Sequence, residues 1–452
     1  MNTRRSFLRK TSTAAASFGF PAIIPASVLG QNAPSKKITL GSIGWGMQGP
    51  SNTMKFLEQP DCHVLAVCDV DKPRLEQGVK QVNERQGSQD CKGYHDFREL
   101  LARKDIDAVM LATPDNWHSI ISIEAAKQGK DIWGEKPLAR TIVEQQAIVK
   151  AVQKHQRIWQ TGSWQRSEQN FRIGAELVAN GLVGKLQRVE VGLPSGHNDF
   201  AKTGHLTQVT PPPEGFDYDM WIGPSQMMDY IAGRVHRNWR WHYNIGGGQL
   251  LDWVGHHVDI AHWGMGMDRS GPTEVKPIQV DMPPATAIWN TATRYRTELK
   301  YPNDVTMTIA GGHDDIAMGT KWIGDKGWVY VNRKGVYDTN IDGLGEMITK
   351  RVDGKLVQGR KLPELGSDVI KNPLYHSPNH WRNFLDCIKD RKPTVTPVET
   401  AHHSAIPGHL SLISLLTQRT IKWDAEKQVI LGDDEASKML SRDFRAPWQL
   451  EA

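Results

Sequence analysis

The sequence predicts an α/β fold in two parts, an N-terminal doubly wound parallel sheet and a C-terminal α+β domain with a large open antiparallel sheet. Three observations carry this. Short apolar runs alternate with helical stretches from Lys37 to about Gln160, and strands joined by long helical crossovers pair in parallel. Beyond that point "LQRVEVGLPSG", "ATAIWNTATRYRTELKY" and "DVTMTIAGG" alternate polar and apolar residues, as half-solvated antiparallel strands do. The 452 residues suffice for two domains, each with its own core.

Taken in order, residues 1–33 read as an export signal: Arg4, Arg5, Arg9 and Lys10 open it, a modest apolar segment runs from Ala14 to Ile24, and small residues follow. The paired arginines before Phe7 and Leu8 are of twin-arginine type, which predicts a periplasmic protein. Residues 36–160 form the parallel layer. "KITLGSIG" is a strand, "WGMQG" a turn into a helix, "CHVLAVCD" a second strand, and Pro73 to Gln86 a helix. "DFRELLAR", "WHSIISIEAAKQG" and "TIVEQQAIVKAVQKH" read as helices, "IDAVMLAT" and "DIWGEKP" as strands. Residues 161–430 form the second domain. Its late helices, about 379–418, are expected to pack back on the parallel layer, and 431–452 is a tail.

Composition narrows the class. Apolar residues at 39% and charged residues at 23% are those of a globular protein. A net charge of +5, without a basic block after the first ten residues, gives no reason to expect nucleic acid. No run of 18 apolar residues predicts a membrane span. Cys62, Cys68, Cys91 and Cys387 form no Cys-x-x-Cys pair. Twin-arginine substrates travel folded, so buried thiols are expected rather than disulfides.

Gly44-Trp45-Gly46-Met47-Gln48-Gly49 fits G-x-G-x-x-G between a strand and a helix, and Asp69 ends the next strand. That context predicts a Rossmann dinucleotide site: glycines let the backbone approach a pyrophosphate at the helix N-terminus. Asp69 accepts from ribose hydroxyls and repels a 2'-phosphate, so NAD is favoured over NADP. Two further stretches follow strand ends, where ligands bind in open parallel sheets. They bring Thr113, Pro114, Asn116 and His118 in "ATPDNWH", and Glu135 and Lys136 in "WGEKPLA". With Gly44, Trp45, Gly46, Met47, Gly49 and Asp69 these are the expected cofactor residues. Lys136, near the nicotinamide end, would stabilise an alkoxide on a substrate carbon.

"GGGQLLDWVGHHVDIAHW" concentrates polar groups. If it is helical from Leu250, then Asp252, His256 and Asp259 share a face and His257 points away. Three readings compete: a metal site including His262, a structural helix, or an acid–base pair in which His256 takes a proton and Asp252 orients. No metal is assigned. Trp164, Trp221, Trp239, Trp241, Trp253 and Trp263 cluster around these stretches, and flat rings suit the C–H faces of sugars. Trp164, Arg166, Arg240, His242 and Tyr243, with Asp252 and His256, are the expected substrate residues.

Together, "GSIGWGMQG", "VCDVD", "ATPDNWH", "GEKPLA", "YDMWIGPS", the Gly246–Trp263 stretch and the late "NFLDCIKDRKPTVTPVE" and "IKWD" resemble the glucose-fructose oxidoreductase, inositol dehydrogenase and rhizopine-catabolism family (Gfo/Idh/MocA). The resemblance implies a catalytic Lys136, a catalytic Asp252 and His256 pair, a carbohydrate or polyol substrate, and a homo-oligomer, dimer or tetramer, built through the open sheet. There is one departure. The family often has Asn directly after the Pro of the Thr-Pro turn, where this chain has Asp115 and then Asn116. Export would remove free NAD, which favours a tightly held cofactor regenerated in place. That cycle is either oxidation with a second sugar as acceptor or redox-neutral glycoside cleavage through a transient ketone. A vestigial signal on an ordinary dehydrogenase, and a non-catalytic sugar- or cofactor-binding protein, are the remaining alternatives.

Overall fold

Six strands, β1 (Ile38–Ile43), β2 (Cys62–Cys68), β3 (Lys92–Tyr94), β4 (Ala108–Leu111), β5 (Asp131–Gly134) and β6 (Trp159–Thr161), form a parallel sheet ordered β3-β2-β1-β4-β5-β6. The computed structural model describes residues 37–367 and 369–451, so the predicted signal lies outside the described residues. The inner strands are apolar and buried on both faces, as a sheet covered by helices on both sides requires. The chain doubles back between β1 and β4, and this reversal opens a crevice at the strands' carboxyl ends.

Local chemistry sets the helix limits. Asp71 caps helix Lys72–Gln86 through the Arg74 amide, Pro73 occupies its first turn, and Gly87 ends it in the left-handed region. Thr141 caps Ile142–Lys154 by accepting from the Glu144 amide. The four cysteines are buried, and burial pushes the Cys91 thiol up to about 12.

The second sheet has nine strands: β7 (Leu186–Leu193), β8 (Glu274–Asp281), β9 (Arg294–Lys300), β10 (Thr306–Gly311), β11 (Gly319–Gly324), β12 (Gly327–Val331), β13 (Tyr337–Thr339), and, after the two-stranded ribbon β14 (Met347–Val352) and β15 (Lys355–Arg360), β16 (Ile421–Asp424) and β17 (Val429–Ile430). It is mixed rather than purely antiparallel. β7 sits inside it, parallel to β10 and antiparallel to β11, because more than a hundred residues separate it from its partners and no hairpin dictates its direction. The strand expected over "ATAIWNTATRYRTELKY" is confined to Arg294–Lys300.

Two late helices tie the layers together. His380–Asp390 buries Phe384 and Leu385 in the same cluster as Phe56 and Trp133 of the parallel layer, with Phe56 and Phe384 centroids 5.9 Å apart. Val398–Thr417 places Val398 and Ala401 in one core and Ile406, Leu410 and Ile413 in the other. A Cβ on Gly408 of that helix would lie 2.6 Å from the Val254 side chain, so glycine there lets it press on the polar stretch 246–263.

The long connection after β7 roofs the crevice. Phe216, Tyr218, Trp221, Ile222, Tyr230, Val235, Trp239 and Ile245 form a separate small core. The Lys72 amide donates to Gly215 O at 2.8 Å, the Asp217 amide to Val70 O at 3.0 Å, and Trp117 Nε1 to Met220 O at 3.1 Å. Arg442 and Arg445 hold the C-terminal residues against Glu144 and Asp219. Among the described residues no helix is long and apolar enough to cross a membrane.

Candidate functional site

The crevice is a cleft running from Asp69, Asp71 and Arg74 at one end to Glu135, Lys136 and Arg240 at the other. The glycine turn forms its floor. Gly44 has φ +92°, and a Cβ there would lie 2.6 Å from Ala112 O; one on Gly49 would lie 1.9 Å from Gly44 O. A Cβ on Gly46 would meet only Arg74 Nη1, at 3.6 Å, so its absence leaves backbone bare toward the cleft. Asp69 Oδ2 accepts from the Trp45 amide at 2.6 Å and Oδ1 from the Asp71 amide at 2.9 Å, which leaves lone pairs for two ribose hydroxyls. This cradle fits a dinucleotide.

Of the expected cofactor residues, Gly44, Gly46, Met47, Asp69, Thr113, Pro114, Glu135 and Lys136 line the cleft. Three side chains do not. The Trp45 ring is buried in the core, against Val67 and the bare Cα of Gly78, and only its backbone serves the turn. His118 bonds to Pro137 O at 2.8 Å and Thr113 O at 3.0 Å, so it ties the two loops together. Asn116 turns inward to Ile222 O at 2.8 Å, and Asp115 takes the cleft position. The helical turn at Asp115–Trp117 makes this exchange, since adjacent residues on it face different directions.

Asp115 is a functional candidate that the sequence reading passed over. It is 2% exposed, its Oδ1 has no hydrogen-bond partner, and burial together with the Asp252 charge pushes its carboxyl up to about 8. Between pH 4 and pH 8 the folded protein therefore holds a proton that the unfolded chain has released. Stability falls as pH rises through that window. Asp115→Asn, nearly isosteric, is expected to match wild type near pH 4 and to exceed it increasingly up to pH 8, by on the order of a few kcal/mol. Urea unfolding of the cofactor-free protein measures this, and a difference independent of pH would refute it.

At the other end, Lys136 Nζ donates to Asp252 Oδ1 at 2.8 Å and to Asp252 O at 2.7 Å, while Arg240 Nε donates to the same Oδ1 at 3.1 Å. Burial raises the Asp252 carboxyl, but the two cations outweigh it and hold it at about 2. Asp252 and His256 both lie near Lys136, whereas Asp259 turns to Arg166. Helix Gly248–Trp253 passes into a π turn at Val254–Val258 before Asp259–Met265 resumes, and the wider turn changes the four-residue spacing. Asp252 and His256 are not hydrogen bonded. His256 is 5% exposed, its Nδ1 has no partner, and burial with Arg333 and Lys136 nearby keeps the ring neutral. The His257 ring is buried, with Nδ1 3.3 Å from Gln165 Nε2.

The other expected substrate residues divide. Arg240 lines the cleft and stacks over Trp239, 4.4 Å from its centroid. Arg166 does not face it. Its guanidinium, 2% exposed, bonds to both oxygens of Asp259 and both of Asp268. His242 accepts from the Asn244 amide at 3.3 Å, and Tyr243 lines a separate cavity with Arg140 and Arg442. Trp221 and Trp239 line the cleft; Trp241 and Trp263 are buried in the interior. Trp164 and Trp253 flank Arg333, which no motif marked. Asp259 and His262 are engaged by Arg166 and Tyr301, and among the described residues no group of three or more His, Cys, Asp or Glu is placed to hold a metal.

Residues 38–163 match the family model described as oxidoreductase family, NAD-binding Rossmann fold. Residues 169–354 and 345–450 match that of the oxidoreductase family C-terminal alpha/beta domain. A glycosyl hydrolase family 109 protein of Shewanella sp. (strain ANA-3) is 32% identical over 171 residues, 34% of this chain and 38% of that protein. A myo-inositol 2-dehydrogenase of Thermotoga maritima is 27% identical over 232 residues, 50% of this chain and 54% of that protein. The chain thus matches about two fifths to one half of the length of these relatives. The solved myo-inositol 2-dehydrogenase of Lactobacillus plantarum superposes with a TM-score of 0.59 at 16% identity, over 86% of this chain and 99% of its own, a likeness of fold.

Proposed function

Since the chain belongs to the Gfo/Idh/MocA oxidoreductase family, with its NAD-binding Rossmann domain, we propose that it oxidises a hydroxyl of a sugar, polyol or glycoside, and that the cofactor stays bound between turnovers. The observation that carries this is the Lys136, Asp252 and Arg240 cluster at the end of the cleft opposite Asp69. NAD, when bound, supplies the hydride acceptor. Gly44, Gly46 and Gly49 would hold its pyrophosphate and Asp69 its adenosine ribose. Lys136 Nζ, with two of its protons anchored on Asp252, presents the third to the substrate oxygen and stabilises negative charge there. His256, neutral with Nδ1 unpaired, is the acceptor for the hydroxyl proton.

The roof over the cleft supports retention of the cofactor, because 215–217 pair with 70–72 across the Asp69 end. Retention fits the twin-arginine reading of residues 1–33, since an exported enzyme has no NAD pool to draw on. It also keeps redox-neutral glycoside cleavage as the second reading, which the family 109 relatives favour. The deciding experiment purifies the protein without added NAD, identifies any bound dinucleotide, and follows reduced-nicotinamide absorbance as sugars and glycosides are added. A lasting signal indicates net oxidation with a separate acceptor. Release of sugar from a glycoside without net reduction indicates the second reading. Neither response, with or without added NAD, would refute both.

A further inference from the structure

Arg333 sits in the turn between β12 and β13, where the Gly335 amide donates to Asn332 O at 3.2 Å. Its guanidinium carbon lies 4.2 Å from the Trp253 ring centroid and 4.8 Å from that of Trp164. Nε donates to Gln165 Oε1 at 2.8 Å, and the Gln165 amide is itself 3.3 Å from His257 Nδ1. The planar group is thus fixed between two indoles. Its outer nitrogens are not satisfied: Nη2 is buried without a hydrogen-bond partner, and among the described residues Arg333 makes no ion pair.

The contrast with other enclosed guanidinium groups is informative. Arg166 is closed by two aspartates, Arg240 by Asp252, and Arg442 by Glu144. The carboxylates whose charge reaches Arg333 are those of Asp252 and Glu135, and both are engaged elsewhere, Asp252 by Lys136 and Arg240, Glu135 by Asn52 Nδ2 at 2.7 Å. Arg333 therefore lies within electrostatic reach of Asp252, Glu135 and His256 with a charged fork left unpaired. Open donors on a desolvated cation cost stability. A planar fork is also the group best matched to a carboxylate, which it binds through two parallel bonds.

We propose that Arg333 binds a carboxylate on the substrate, and that the substrate is a sugar acid: a uronic acid, or a glycoside of one. Trp164 and Trp253 hold the guanidinium in place from its two sides, and Lys136 and Arg240 face the hydroxyl that reacts. This rests on the oxidoreductase reading above, so binding and turnover are measured separately.

The test titrates D-glucuronate and D-galacturonate, and in parallel D-glucose and D-galactose, into the protein as purified, following tryptophan fluorescence. Wild type, Arg333→Lys and Arg333→Gln are compared. The acids are expected to bind about tenfold or more tighter than the neutral sugars in wild type. Arg333→Gln is expected to remove that preference, and Arg333→Lys, which keeps the charge but not the fork, to retain part of it. Neutral-sugar binding in Arg333→Gln reports that the fold is intact. Equal binding of acids and neutral sugars in wild type, no binding of either acid, or an unchanged preference in Arg333→Gln would each overturn the proposal. Reduction of the bound dinucleotide is read in the same samples. Acids that bind through Arg333, while neither they nor their methyl glycosides reduce the dinucleotide or release sugar, would uphold the anion site and refute the oxidoreductase reading.

Discussion

Lys136→Ala is expected to lower turnover by about a thousandfold, the scale on which a single charge-stabilising donor acts in a water-poor site. Lys136 is the amine that meets both the cleft and Asp252. Without it, the Asp252 carboxylate keeps only Arg240, and no ammonium remains to stabilise charge on the substrate oxygen. Bound dinucleotide should be unaffected, because the glycine turn and Asp69 make no contact with this lysine. The check is a pair of measurements on one preparation, dinucleotide content per chain and rate of reduction on adding substrate. Loss of both together would point to a structural lysine, and an unchanged rate would remove Lys136 from the mechanism.

The second large effect is on stability. Arg166, Asp259 and Asp268, with Ser404 Oγ 2.6 Å from Asp259 Oδ1, form an enclosed charge network between the helix Asp259–Met265 and the segment after β6. Arg166→Met leaves the Asp259 carboxylate, 2% exposed, without its counter-ion. Removing one member of a buried pair costs about 3–5 kcal/mol, whereas replacing both by apolar groups costs much less. Arg166→Met is therefore expected to lower the urea midpoint strongly, and Arg166→Met with Asp259→Leu to recover much of the loss. The same pair tests the corrected role of Arg166. A variant with wild-type stability but weakened sugar binding would return this residue to the substrate site.

Much of the parallel layer was legible because its determinants are local. "KITLGSIG" and "CHVLAVCD" are largely buried and read as strands from their apolar runs alone, and Gly44, Gly49 and Asp69 follow from the rules of one strand–helix–strand unit. The family resemblance assigned Lys136 and Asp252 to one site, and the fold sets them 2.8 Å apart across 116 residues. What periodicity could not resolve was the π turn at Val254–Val258. An ideal helix assigns a face to every fourth residue, but this segment is pressed by Gly408 against Val254 from another helix.

Asp115 and Asn116 show the limit at single-residue scale. Both are small and polar, and only the 3.0-residue turn beneath them decides which enters the cleft. Arg166 and Arg333 show it for charge. In the sequence they are two arginines among many; in the fold one is closed by two carboxylates and the other is left open between two indoles.

By itself, then, the sequence determined the α/β class and the dinucleotide cradle, since these depend on residue periodicity and on backbone freedom at particular glycines. Tertiary structure alone decided the mixed direction of the second sheet, the roof over the cleft, and which charged side chains are paired. Those outcomes depend on partners a hundred or more residues away, and the free energy of a buried charge is set by whichever partner the packing supplies.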